Sequence, residues 1–135
     1  MALFSCAALL LLFSLPRPVV GILPKGLQQL TADTYHSTVT GSPPSFVAFV
    51  RASQPHYADI HPLFVDLADK IRNMRIAEVD CDAHASLCAP FNIRRYPYLA
   101  YYTEDTSTSG VESARPYVGK RTRAGLEEFV KKSFF

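Results

Sequence analysis

The apolar run Ser45 to Val50 (SFVAFV) shows no alternation of polar and apolar positions. Such a run is typical of a β-strand buried on both faces of a helix-covered sheet. Apolar residues at helical spacing follow it and predict the buried face of an amphipathic helix: Ile60, Leu63, Phe64, Leu67 and Ile71. We expect Ser53 to cap this helix, Pro55 to lie in its first turn and Pro62 to kink its interior.

The rest of the chain continues to alternate between strand and helix patterns. Strands are predicted at Leu27–Leu30, Ile76–Val79, Tyr98–Thr103 and Ala114–Val118, with a polar turn at Glu104–Gly110. Helical segments are predicted at Ala32–His36 behind a Thr31 cap, within Cys81–Phe91 and at Thr122–Lys132. This order predicts an α/β sandwich with a mostly parallel core sheet.

The first 21 residues have the pattern of a targeting segment. Ala2 to Leu15 is almost wholly apolar, too short to span a bilayer comfortably, and Val19 and Gly21 fit the small-residue pattern before a cleavage site. We therefore expect a signal peptide at 1–21 and a single domain at 22–135. No Lys or Arg precedes the apolar run, so an uncleaved anchor is the alternative.

Composition and charge narrow the function. The chain has 135 residues, 48% of them hydrophobic, and a formal net charge of +2, which suits one domain with its own core. Nothing suggests a nucleic-acid or membrane surface, because such surfaces need clustered Lys and Arg. Arg94–Arg95 and the group Lys120, Arg121 and Arg123 are interpreted as ordinary solvated charges.

Several short motifs occur in one order along the chain. They are Leu30–Thr31 through Val39, Phe46–Val50, Val79-Asp80-Cys81, Asn92 to Leu99 (NIRRYPYL) and Tyr117 to Arg121 (YVGKR). Together with Pro62 and the interval from Cys81 to Cys88, they resemble a thioredoxin fold of the protein disulfide isomerase family. The resemblance covers about Leu27 to Lys132 and implies a central mixed sheet flanked by helices in three layers, α/β/α.

The same resemblance locates the family's redox motif, W-C-G-H-C, on Ser53-Gln54-Pro55-His56-Tyr57. Gln54 and Tyr57 replace both cysteines. Disulfide exchange needs a thiolate that attacks and a second thiol that resolves the mixed disulfide, so we expect no catalytic residue here. Ala48 stands where the family usually keeps a buried carboxylate, and Arg121, which matches an arginine that tunes the lost thiol, is expected to be a surface residue.

Pro97 matches the proline that faces the motif in thioredoxin folds and is cis there. Two roles stay open: it shapes the turn into its strand, or it belongs to a surviving peptide-docking edge. In the second case Tyr57, Tyr96 and Pro97 are the peptide-binding candidates, with Tyr98 as a further aromatic contact.

Cys81 and Cys88 remain once Cys6 leaves with the signal. An even pair in an oxidising compartment favours a disulfide, and related domains often bond the cysteines at these positions. A reactive pair is the alternative. His56, His61 and His84 form no zinc-type cluster in the sequence, so neither a metal nor another cofactor is expected.

The sequence thus favours a non-enzymatic, redox-inactive domain that binds unfolded or partner polypeptides, in a chaperone or adaptor role in protein folding. The alternatives are a weak thiol–disulfide oxidoreductase or isomerase using Cys81 and Cys88, and a purely structural subunit of a larger assembly. We expect the endoplasmic reticulum lumen or secretion, no nucleic-acid partner and no membrane span after signal cleavage. The terminal Lys131 to Phe135 differs from a KDEL-type retrieval signal, and the oligomeric state is left open.

Overall fold

A computed structural model of the protein describes residues 26–40, 43–103 and 114–134. The strands are β1 (Gln28–Gln29), β2 (Ser45–Val50), β3 (Arg75–Asp80), β4 (Tyr98–Tyr102) and β5 (Arg115–Pro116). The helices are α1 (Tyr35–Val39), α2 (Tyr57–Lys70), α3 (Ala85–Cys88) and α4 (Arg123–Phe134), with a 3-10 turn at Ala89–Phe91. The predicted signal peptide at 1–21 and the turn at Glu104–Gly110 lie outside the described residues.

The five strands form one mixed sheet in the order β1-β3-β2-β4-β5. The pairs β1–β3 and β2–β3 are parallel, whereas β2–β4 and β4–β5 are antiparallel. The expectation of a mixed sheet between helices is confirmed. The sheet is parallel on one side of β2 and antiparallel on the other, so it is less parallel than the alternation of strands and helices suggested.

Strand β2 is buried on both faces, as its apolar run predicted. Phe46, Ala48 and Val50 pack toward α2 and α4, while Val47 and Phe49 pack toward α1 and α3. Successive strand residues point to opposite faces, so one unbroken apolar strand supplies both halves of the core. The result is the three-layer α/β/α arrangement, with β2 at its centre.

Helix α2 begins three residues later than the sequence suggested. Its cap position is His56, and Ser53 makes no capping contact. Ser53 lies in a turn and bonds instead to Asp82, a residue 29 positions further along the chain. The predicted Ser53 cap was therefore wrong, because a distant carboxylate competes for that hydroxyl.

Candidate functional site

The segment Ser53 to Tyr57 joins β2 to α2, and the residue that faces it across a cleft is Pro97. The Tyr96–Pro97 peptide bond is cis. The cleft has a volume of about 680 Å³, and its walls include Gln54 and His56 on one side and Tyr96 and Pro97 on the other. The structure therefore brings the former redox motif and the proline together, as the resemblance implied.

Arg51, which lines the cleft, belongs to a hydrogen-bond network around Asp82. Its carboxylate accepts hydrogen bonds from the Ser53 amide (3.1 Å) and hydroxyl (2.6 Å) and from Arg51 Nε (2.7 Å). These bonds, with Ser53 contributing most, lower the pKa of Asp82 to about 2. The Arg51 guanidinium also lies 5.7 Å from the centre of the Tyr96 ring, which connects the loop after β2 to the proline side of the cleft.

Tyr57, at the position of the family's second motif cysteine, packs against the core beneath α2. Its hydroxyl lies 3.3 Å from Glu78 Oε1 and 3.1 Å from His61 Nδ1, and its ring stacks on His61. Burial and then the negative charge of Glu78 raise the pKa of Tyr57. Tyr96 and Pro97 line the cleft, and among the described lining residues Tyr57 is not included.

Glu78 is a buried carboxylate that the sequence reasoning missed. Its side chain is 1% exposed, and it lies directly opposite Ala48 in the β2–β3 ladder. Gln29 Nε2 donates to Oε1 at 2.9 Å, and His61 Nδ1 lies 2.9 Å from Oε2. Ala48 itself carries no carboxylate, but its partner on the neighbouring strand, Glu78, supplies one to the same region.

The signal for Glu78 is a single acidic residue in the otherwise apolar run Ile76 to Val79, which the sequence predicts as a strand. A charge in such a run needs partners, since an unpaired buried carboxylate is costly. The spacing of Tyr57 and His61, four apart and therefore on one helix face, marks where those partners lie.

Tyr98, the further aromatic candidate, is on the other side of the sheet from Tyr57. Its ring packs against Phe49 (5.9 Å between ring centres) and Phe91 (6.0 Å). Burial raises its pKa. Tyr98 therefore belongs to the core layer under α3, whereas its neighbour Tyr96 lines the cleft.

Cys81 and Cys88 are joined in a disulfide, as the resemblance implied. The two residues are 6% and 4% exposed, and the bond links the end of β3 to α3. Both sulfurs pack into the core layer that contains Val79 and Tyr102. The pair thus lies inside the domain, within the layer of α1 and α3.

The cleft carries more positive charge than its sequence segments suggested. Four arginines line it, Arg51, Arg94, Arg95 and Arg121, together with one acidic residue, Asp59. These arginines come from three separate parts of the chain, and the fold gathers them around the proline.

A close contact positions the last of these arginines. The Tyr117 hydroxyl donates to the carbonyl oxygen of Lys120 at 2.6 Å, which folds the chain back over the tyrosine ring. A Cβ at Gly119 would lie 2.5 Å from that hydroxyl oxygen, so only glycine fits between the two residues. The turn is followed directly by Arg121, which lines the cleft.

The three histidines considered as metal ligands lie in three separate places. His56 lines the cleft, His61 bonds to Glu78, and His84 precedes α3 without a side-chain cap. Within residues 26–40, 43–103 and 114–134, no group of three or more His, Cys, Asp or Glu side chains could hold a metal ion. In the same part of the chain, no helix is long and apolar enough to cross a bilayer.

Comparison with known proteins agrees with this geometry. A family model described as thioredoxin matches residues 26–132. Protein disulfide isomerase-like 2-1 of Oryza sativa subsp. japonica is 28% identical over 104 residues, which cover 75% of this chain and 27% of that protein. Endoplasmic reticulum resident protein 44 of Mus musculus is 23% identical over 133 residues, 93% of this chain and 30% of that protein.

Among solved structures, the zinc-bound form of human ERp44 superposes with a TM-score of 0.67 at 19% identity. The match covers 82% of this chain and 30% of that one, and it supports the fold alone. The chain spans between about a quarter and a third of the length of the two curated relatives above.

Proposed function

The chain belongs to the thioredoxin family, and from that premise we propose that it is a redox-silent domain that binds unfolded or partner polypeptides in the secretory pathway. The observation that carries the proposal is the contrast between the two halves of the site. Gln54 and Tyr57 stand where the resemblance expects the two cysteines, while a cleft lined by Tyr96 and Pro97 lies at the cis peptide bond.

Redox silence is supported at both former cysteine positions. Gln54 has no ionisable group and faces the cleft. Tyr57 is engaged with Glu78 and His61, and the raised pKa of its phenol keeps it protonated at physiological pH. Neither side chain can attack a disulfide or resolve a mixed one, because both steps need a thiolate.

Polypeptide binding is supported by the main chain beside the proline. Strand β4 begins its pairing with β2 at Tyr98, opposite Phe49. Within the described residues, no backbone–backbone hydrogen bond involves positions 93 to 97. The N–H groups of residues 93 to 96 and the carbonyl groups of residues 93 to 97, next to the half-buried Tyr96, can pair with an extended peptide by strand addition.

The Cys81–Cys88 pair gives little support to the rival enzymatic function. Exchange requires that a thiolate reach one sulfur, and both of these residues are buried in the core. Opening the bond would disturb the contact between β3 and α3. We therefore place this pair in the scaffold.

The secretory location is proposed from two supports. A disulfide persists in oxidising compartments and is rare in the cytosol. One relative is named an endoplasmic reticulum resident protein. The lumen of the endoplasmic reticulum and secretion are both compatible with these supports.

The test is binding of a permanently unfolded protein, reduced and carboxymethylated α-lactalbumin, followed by fluorescence anisotropy. The two tyrosines that flank Pro97 make a matched pair of variants, since Tyr96 lines the cleft and Tyr98 packs into the core layer. We expect Tyr96→Ala to weaken binding several-fold and Tyr98→Ala, once shown by circular dichroism to be folded, to leave it unchanged. Absence of binding to the unfolded protein, or equal loss in both variants, would remove the proposal.

A further inference from the structure

We propose that the cleft at cis-Pro97 selects acidic peptide segments, in which Asp or Glu side chains alternate along an extended strand. The inference rests on the proposed polypeptide-binding function and adds the chemical class of the ligand. It is carried by the arginines that the fold gathers around the cleft.

The charge of the cleft is strongly unbalanced. In the part of the chain that the structure describes, four arginines and one carboxylate, that of Asp59, line the cleft, although the whole chain has a formal net charge of only +2. Arg51 is already paired with Asp82 at 2.7 Å. Arg94, Arg95 and Arg121 are exposed, and none forms an ion pair with a carboxylate of the described residues.

The kind of cation points to carboxylate recognition. Among the described lining residues, the four with a permanent positive charge are all arginines, and none is a lysine. A guanidinium offers a planar fork of donors that matches a carboxylate with two parallel hydrogen bonds, and it is less strongly hydrated than an ammonium group. It therefore binds a carboxylate with more geometric selectivity than a lysine would.

The walls between the arginines suit a peptide. Ile60, Ile93 and Pro97 are apolar, and Tyr96 adds an aromatic face. A peptide bound along positions 93 to 97 would be extended, and alternate side chains of an extended strand point the same way. Carboxylates at every second position would face the arginines while the peptide backbone pairs with the chain beside Pro97.

The test compares two dodecapeptides that differ only in charge. One has Glu at every second position with Thr or Val between, and the other has Gln in place of every Glu. Each exposed Arg–carboxylate pair contributes a factor of about two to five in affinity. We therefore expect the Glu peptide to bind about tenfold more tightly than the Gln peptide at low salt. Fluorescence anisotropy measures both affinities. Raising the ionic strength should reduce the difference in affinity between the two peptides, because salt screens exposed charges.

Variants of the protein test whether the cleft arginines cause the preference for the Glu peptide. The double variant Arg94→Gln/Arg95→Gln should reduce the preference for the Glu peptide to about twofold or less. Arg72→Gln is the matched control, since Arg72 is also an exposed arginine and lies outside the cleft lining. Arg95→Glu should shift the preference toward a peptide with Lys in place of Glu.

The outcomes separate the two proposals. Equal binding of the Glu and Gln peptides, or the same loss in Arg72→Gln as in the cleft variant, contradicts the selection for acidic segments and leaves peptide binding standing. Failure of both peptides to bind contradicts the proposed polypeptide binding as well as the selection for acidic segments. Tighter binding of a short single-stranded oligonucleotide through the same arginines would also overturn the inference, because the ligand would then be a phosphate polymer.

Discussion

Breaking the bond between His61 and Glu78 should destabilise the domain by an amount that depends on the charge of Glu78. Glu78 is 1% exposed, and its hydrogen-bond partners are Gln29, Tyr57 and His61. A carboxylate only accepts hydrogen bonds, so His61 serves it as a donor through Nδ1–H. His61→Leu removes that donor and keeps a side chain of similar size.

The magnitude follows from the geometry. A hydrogen bond to a charged group contributes about 1.5–3 kcal/mol to the free energy of unfolding. The side chain of His61 is 33% exposed, so water replaces part of the lost donation and the lower half of that range applies. We expect His61→Leu to cost about 2 kcal/mol. In the background Glu78→Gln the acceptor is neutral, and the same substitution should cost about 1 kcal/mol.

The assay is urea denaturation of the four proteins of this double-mutant cycle. The chain has no tryptophan, so far-UV circular dichroism is the signal. With a dependence of about 1–1.5 kcal/mol per molar urea for a domain of this size, His61→Leu should lower the midpoint by roughly 1.5 M. A loss below about 0.5 kcal/mol, or the same loss in both backgrounds, would refute the idea that His61 stabilises a buried charge.

Two further predictions concern the scaffold of the site. Replacing Cys81 and Cys88 with alanine should lower the free energy of unfolding by about 2.5 kcal/mol, because the disulfide closes a loop between residues seven apart. Thermal unfolding measures this loss, and an unchanged melting temperature would contradict the prediction. The bonds from Ser53 and Arg51 lower the pKa of Asp82 from 3.8 to about 2. Ionised Asp82 therefore stabilises the fold above its unfolded pKa, and this stabilisation is lost as the pH falls from about 4 to about 2. Urea titrations across this range should therefore show a weaker pH dependence for Asp82→Asn than for the wild type, and identical slopes would count against the network.

Most of the fold could be predicted from the sequence because the pattern of apolar residues within each strand or helix determines which of its faces is buried. The apolar run of β2 and the helical spacing of Phe64 and Leu67 in α2 each reflect burial within a single element. The start of α2 could not be predicted in the same way. The Ser53 hydroxyl binds Asp82 rather than the helix, and that partner is 29 residues away.

The site was harder to predict than the fold for the same reason. The loss of both motif cysteines was visible at Gln54 and Tyr57, since it depends only on residue identity. The partnership of Tyr57 and Glu78 joins residues 21 apart on different elements. The arginine cluster depends on three loops that meet at Pro97, so charges that look scattered in the sequence became one surface only in the fold.

The central claim is that this thioredoxin domain performs no disulfide exchange, and the reduction of insulin by dithiothreitol tests it most directly. Wild-type protein should leave the rate of turbidity at the level of the protein-free reaction, while an active thioredoxin and the variant Gln54→Cys/Tyr57→Cys accelerate it. The result that would contradict the account is acceleration by the wild type that disappears in Cys81→Ser/Cys88→Ser.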